Sequence, residues 1–261
     1  MSVAGPVQVV GIMLVHNENR FLRRAIANSL DFCDRILVAD HRSTDSTLEI
    51  ARELAAQHAK IEVHPIREPA ESNHLLRPFV ATRTWVFGID GDELYDPAGL
   101  AWTRAQLELG AWDQWWTVFG NVLNCTALDE SAGTATGYLA PPCRSMTKLY
   151  NFAALAALDP HAKQRLMGRH DVFQPGYDAL QRLDLYKAVS WEEARFRCLH
   201  TCFLPRSTSA PAEATGRPNL TDEGSRFTRL RRLFTGPSGS AHKRDKYMRG
   251  DLVTVDARPF L

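Results

Sequence analysis

Val86-Phe87-Gly88-Ile89-Asp90-Gly91-Asp92-Glu93 is the stretch around which the chain is organised: an apolar run that begins at Trp85 and stops abruptly at acidic side chains. Such a run, bounded by charge, reads as a buried strand whose carboxyl end delivers the acids into a crevice. Open α/β sheets bind their ligands at that edge. Two carboxylates two residues apart can share one hard divalent cation, and Gly91 between them lets backbone or ligand approach closely. A solvated acidic loop is the competing reading of these residues alone.

Upstream, Val7 to Val15 is a continuous apolar stretch of strand length that ends in His16-Asn17-Glu18-Asn19. Those polar residues sit at a strand end and lead into a helix from near Arg20, with Phe21, Leu22, Ala25, Ile26 and Leu30 at helical spacing. Arg35 to Ala39 predicts a second strand ending at Asp40, and the polar turn His41 to Thr47 opens a helix over Leu48 to His58. Lys60 to Pro65 supplies a third strand. Strand, helix, strand, helix, strand within about sixty residues marks a doubly wound α/β unit. Right-handed crossovers put the strand ends on one edge, so Glu18, Asp40 and the acids from Asp90 to Glu93 should converge. No glycine-rich phosphate loop follows the first strand, which argues against a dinucleotide fold or a P-loop.

At 261 residues and 44% apolar, the chain can bury one sizeable core. Lys plus Arg (31) nearly balances Asp plus Glu (30), so there is no general polyanion-binding signal, although the segment after Pro205 is basic. The N-terminus lacks a signal-peptide pattern and no stretch reaches the ~18 apolar residues of an integral membrane span, which places the protein in the cytoplasm. Five scattered cysteines argue against a disulfide framework. Cys198-Leu199-His200-Thr201-Cys202 has no second ligand pair for structural zinc, and reads as thiols flanking a histidine with its own role.

His16-Asn17-Glu18 after the first strand, Asp40 with Ser43-Thr44-Asp45-Ser46-Thr47 after the second, and Asp90-Gly91-Asp92 after the fourth together resemble the nucleotide-sugar-binding half of GT-A fold, family-2 glycosyltransferases. The resemblance covers about residues 7 to 110 and extends more weakly to about 205. It departs at the turn after Asp40, where His41-Arg42-Ser43 replaces the usual acidic, glycine-containing turn. It implies a GT-A-like, mixed and mostly parallel sheet flanked by helices, divided into a donor half (7–110) and an acceptor half (111–205) within one catalytic domain, 1–205. Residues 206–261 are expected from their composition to form a flexible linker and basic extension. The implied activity is inverting transfer of a sugar from a UDP-, GDP- or dTDP-sugar to a hydroxyl acceptor with Mn2+ or Mg2+.

By the same resemblance Asp92 binds the metal, with Asp90 on the metal's waters or the ribose, and Asp40 accepts a hydrogen bond from base or ribose. His16, Asn17 and Glu18 line the base pocket; Glu18 and Asp40 also suit ordinary helix capping. Arg77 is placed against the base or diphosphate, and a late histidine, His200, returns to the metal, for which imidazole suits manganese. Asp171 takes the acceptor proton, with His170 as its neighbour and alternative. A sugar nucleotidyltransferase is the same-fold rival, and a non-catalytic nucleotide-sugar or glycan-binding module the rival of another class.

The second half predicts a strand over Gln114 to Leu123, in a neighbourhood where Trp112, Trp115 and Trp116 can stack on an acceptor ring or simply fill the core. Ser145 to Phe152 reads as a further strand, and the Ala- and Leu-rich run after it as a helix. Phe227 to Phe234 and His242 to Arg249 are basic clusters that can meet the diphosphate, an anionic acceptor or an anionic membrane surface, giving peripheral membrane contact. The apolar Pro259-Phe260-Leu261 end points back onto the body.

Overall fold

The structure is a computed structural model that describes residues 6–143, 148–209 and 247–261. In chain order the N-terminal part runs β1 (Gln8–Val15), α1 (Leu22–Ser29), β2 (Arg35–His41), α2 (Thr47–Gln57), β3 (Ile61–Ile66), α3 (Glu71–His74), β4 (Thr84–Ile89), β5 (Glu93–Tyr95) and α4 (Pro97–Glu108). There follow β6 (Thr117–Phe119), β7 (Asn121–Asp129), β8 (Thr134–Leu139), β9 (Lys148–Asn151), β10 (Leu155–Ala157), β11 (Val172–Phe173) and β12 (Arg182–Asp184). Then come α5 (Leu185–Ala188), β13 (Arg197–His200) and β14 (Leu252–Asp256).

Seven strands form the main sheet in the order β12-β6-β9-β4-β1-β2-β3, parallel except at β9. β1 is buried on both faces, as its unbroken apolar sequence requires. Trp85, Phe87 and Ile89 pack on the face covered by α1, α2 and α4, with Tyr95 and Phe196 joining them. Val86 faces the other way, toward Leu76, Phe79, Trp116 and Phe152. A second sheet, β14-β8-β7-β13-β5, carries the chain away from the acidic end of β4 and back to it. α4 starts where Asp96 accepts hydrogen bonds from the Ala98 and Gly99 amides, with Pro97 in its first turn. Among the described residues no helix is long and apolar enough to cross a membrane.

Three elements differ from the sequence expectation. Gln114 to Leu123 is not one strand: the chain breaks at Gly120, leaving β6 in the main sheet and β7 in the second. A Cβ at Gly120 would lie 2.1 Å from the Phe196 carbonyl oxygen, so the chain can switch sheets only where a side chain is missing. The strand expected from Ser145 begins at Lys148, residues 145–147 lying outside the described residues. The run after Phe152 is a 3-10 turn (Phe152–Ala154) followed by β10, not a helix. Asn151 Oδ1 accepts the Ala153 amide, and β10 pairs at once with β11, so tertiary pairing overrides the helical preference of alanine and leucine.

Phe227 to Phe234, the linker from residue 210 and His242 to Lys246 lie outside the described residues. The C-terminal end does return to the body. Phe260 is fully buried, stacks on Trp191 with ring centroids 5.8 Å apart, and its carbonyl accepts from Asn28 Nδ2.

Gly120→Ala should destabilise the fold by roughly 3 kcal/mol, since the clash is with backbone on β13's approach and cannot relax by rotating a side chain. Urea unfolding measures it; wild-type stability in this variant would mean that the sheet switch does not depend on this contact.

Candidate functional site

The loops after β1 and β2 are laced together. The Asn17 amide donates to Ser43 Oγ (3.1 Å), Asn17 Oδ1 accepts the Thr44 amide (2.7 Å), and the Glu18 amide donates to Thr47 Oγ1 (2.8 Å). Asn17 adopts φ +54°, which asparagine tolerates better than most residues. His16 Nδ1 meets the His41 carbonyl oxygen at 2.6 Å. Asp40 is buried; its Oδ2 accepts the Ser43 amide at 3.2 Å, while Oδ1 has no hydrogen-bond partner among the described residues. An acceptor kept out of water and left unmatched is a place for a ligand donor.

Glu18 is also buried, and it reaches the acidic turn: a Cβ on Gly91 would lie 2.2 Å from Glu18 Oε2. The glycine between Asp90 and Asp92 thus makes room for a third carboxylate. Asp90 turns the other way, to Arg165 Nη2 at 2.5 Å. The same guanidinium donates to the Ile12 carbonyl (3.0 Å) and the Ile89 carbonyl (2.6 Å), joining β1 to the end of β4. Burial works against ionising Asp90, but Lys148 and Arg165 outweigh it and hold the carboxyl well below the usual carboxylate range. Glu93 has the opposite fate. Burial and then the Asp90 charge push it up to about 8, so it is mostly protonated at neutral pH, with Tyr95 Oη donating to Oε2 at 2.8 Å.

Asp92 is 1% exposed, and the antiparallel register that pairs His200 with Glu93 brings the imidazole beside it. His200 Nε2 lies 3.7 Å from Asp92 Oδ2. The other nitrogen, Nδ1, is 2.9 Å from Asn124 Oδ1, an acceptor, so Nδ1 carries the proton. Asn124 is fixed in turn by its Nδ2 on Cys143 Sγ at 3.0 Å. Burial lowers the His200 pKa more than Asp92 raises it, so the ring is neutral and its Nε2 lone pair confronts a carboxylate oxygen. Two electron-pair donors that face each other out of water call for a cation between or beside them. One is present: Arg206 Nε lies 2.7 Å from Asp92 Oδ2, in an ion pair that does not reach hydrogen-bond geometry, and Arg206 Nη1 lies 3.6 Å from Glu18 Oε1.

Asp171 stands in a different place. It lines a cavity of about 210 Å3 together with Trp116, Tyr150, Phe152, Asn73 and Arg182. Its Oδ1 accepts the Asp159 amide at 2.8 Å, and Gly168 leaves space for the carboxylate, since a Cβ there would lie 2.3 Å from Oδ1. Burial raises the Asp171 pKa. Asn73 Oδ1 is buried without a hydrogen-bond partner, its Nδ2 being committed to the Asp159 carbonyl at 3.1 Å. The cavity adjoins the acidic edge: Leu166 in its wall sits over Gly88, and Tyr150 is two residues along β9 from Lys148, whose charge is held by Asp90. His170 is exposed, as is Arg77 on a 3-10 turn; the cation beside Asp90 is Arg165. Of the three tryptophans Trp116 lines the cavity, whereas Trp112 and Trp115 pack in or against the core.

Residues 12–102 match the family model described as glycosyl transferase family 2. The matched segment holds Glu18, Asp40, Asp90 and Asp92 and stops before Lys148, Arg165, His200 and Arg206. No curated protein matches the chain. Among solved structures, TarS residues 1–349 of S. aureus in complex with UDP is 17% identical with a TM-score of 0.41, over 60% of this chain and 52% of that one. Glucosyl-3-phosphoglycerate synthase from Mycobacterium tuberculosis, in complex with Mn2+, UDP-glucose and phosphoglyceric acid, is 18% identical with a TM-score of 0.39, over 60% of this chain and 61% of that one. The chain therefore spans less than two thirds of either protein.

Sequence reasoning missed the basic residues and Asn124. Arg165 lies in a polar loop with no periodicity, ordered by Asp159, which accepts the His161, Arg169 and His170 amides. Nothing local marks such a residue; an arginine flanked by loop residues reads as solvated.

Arg165→Met should cost about 3 kcal/mol, because it strands Asp90 and the Ile12 and Ile89 carbonyls in a largely dry site. Combining it with Asp90→Asn should restore a measurable part. Denaturation of the single and double variants tests this, and simple additivity of their losses would show that the two groups are not coupled.

Proposed function

We propose that the protein transfers a glycosyl group from a nucleoside diphosphate sugar to a hydroxyl acceptor, with inversion and with a divalent cation, Mn2+ or Mg2+. The family-2 segment supports the donor class. The observation that carries the chemistry is the confrontation of Asp92 Oδ2 with a neutral His200 Nε2 at 3.7 Å. That donor set fits a cation that accepts both oxygen and imidazole. Among the described residues no three His, Cys, Asp or Glu side chains converge on one point, and Asp92 and His200 would hold the cation. When bound, the cation supplies stabilisation of the negative charge that develops on the departing diphosphate.

The chain's own residues do the remainder. Asp40, through its unmatched Oδ1, accepts from the nucleoside, and the laced loops after β1 and β2 give that pocket a rigid wall. Lys148 and Arg165 add fixed positive charge at the edge where the diphosphate lies. The aromatic cavity takes the acceptor, a hydroxyl-bearing ring stacked on Trp116 and Tyr150, with a donor to Asn73 Oδ1. Asp171 takes the proton of the attacking hydroxyl as its oxygen bonds to the anomeric carbon and the bond to the β-phosphate oxygen breaks, releasing nucleoside diphosphate.

In a thermal-shift screen of UDP, GDP and dTDP with Mn2+, one nucleotide near 100 times its Kd should raise Tm by ~5 °C. Asp92→Ala should lose the Mn2+-dependent part of that shift and with it the transfer activity; full activity in that variant would remove Asp92 from the site.

Asp171→Asn should leave donor binding intact and slow transfer by about 10²- to 10⁴-fold. Because burial raises this carboxyl and only its ionised form takes a proton, wild-type turnover should fall as pH drops through a value above that of an ordinary aspartate. Normal turnover in the variant would move the base elsewhere, with His170 next to test.

A further inference from the structure

After His200 the chain crosses directly over the acidic turn. The Thr201 amide and Oγ1 both donate to the Asp92 carbonyl, at 2.9 and 3.1 Å. Residues 205–209 then bind to the loops of the donor half: the Arg20 amide donates to the Arg206 carbonyl (3.0 Å), the Thr208 amide donates to Asn19 Oδ1 (2.9 Å), and Ser207 Oγ donates to Asp45 Oδ2 (2.5 Å). This strap holds Arg206 over the site with its side chain 13% exposed, between Asp92 and Glu18 that are each 1% exposed. Burial disfavours the Arg206 charge, but Asp92 and Glu18 more than restore it. A charge buried this deeply between two carboxylates is part of the site.

The oxygen that Arg206 approaches is the same Asp92 Oδ2 that faces His200 Nε2. A guanidinium and a divalent cation on one carboxylate oxygen are like charges within a few ångströms, in a place where water screens them poorly. They exclude each other. Resting on the reading of Asp92 and His200 as the cation seat, we propose that Arg206 is the resident counter-cation of Asp92, and that a divalent cation enters only by displacing its guanidinium. Arg206 then sets the cation affinity of the resting protein. It also gives the strap of residues 201–209 a function, because the group that leaves Asp92 is carried on a segment pinned to Asn19, Arg20 and Asp45, which frame the donor pocket.

The test is a titration of the full chain with Mn2+ alone, read from the electron paramagnetic resonance signal of the free ion, without donor or acceptor. Wild type should bind weakly. Arg206→Ala should bind at least tenfold tighter, Arg206→Lys should stay near wild type because the charge remains, and Arg206→Ala with Asp92→Asn should lose the gain. Arg206→Gln, which keeps length and a polar head, should show the same tightening and serves where the alanine variant does not fold. Equal Mn2+ affinity in wild type, Arg206→Ala and Arg206→Gln, abolished by Asp92→Asn, would overturn the counter-cation role while leaving the cation seat standing. No Mn2+ bound to any variant, with or without added UDP, GDP or dTDP, would overturn the seat itself and this role with it.

Discussion

The grip of Arg165 on β1 and on the end of β4 is the interaction on which the site depends. β4 stops at Ile89 while β1 runs on to Val15, and where their pairing ends one guanidinium satisfies the Ile12 and Ile89 carbonyls while pairing with Asp90. The planar fork of arginine suits three acceptors at once in a way that a lysine ammonium does not. Its neighbour Leu166 seals against Gly88, so the residue that orders the acidic edge also raises one wall of the aromatic cavity. The acidic edge and the aromatic cavity are therefore coupled through two adjacent residues of one loop.

Charge is balanced locally. Glu18, Asp90 and Asp92 stand against Arg206, Arg165 and Lys148, while Glu93 avoids the problem by keeping its proton. Without those cations, three carboxylates packed around Gly91 would carry an unfavourable desolvation and mutual repulsion. The balance also prepares the edge for an anion. On the proposed function, a diphosphate at that edge would meet fixed positive charge that needs no reorganisation.

Division of labour follows the fold. Residues 12–102, the segment that matches the family model, bring the acids; among the described residues the buried cations that answer them, Lys148, Arg165 and Arg206, come from outside it. The second sheet exists in functional terms to return the chain to the starting edge, since β13 pairs with β5 and delivers His200 next to Asp92. Gly120, where the chain passes from one sheet to the other, makes that return possible.

The strands of the donor half, the polar residues at their ends and the acidic turn were legible in the sequence because each depends on local pattern: unbroken apolar runs, capping residues and a glycine between aspartates. The boundaries of β1, β2 and α2 fall within a residue or two of that reading. The part after α4 was legible only in part, since Gly120 splits one apparent strand between two sheets and β10 forms where composition favours a helix. The partners of the acids were decided by tertiary structure alone. Arg165 meets Asp90 across 75 residues, and Arg206 meets Asp92 across more than a hundred; the imidazole orientation rests on Asn124, 76 residues from His200. No short-range pattern encodes such pairs, because their energy comes from burial that exists only once the two sheets and the strap have closed around them.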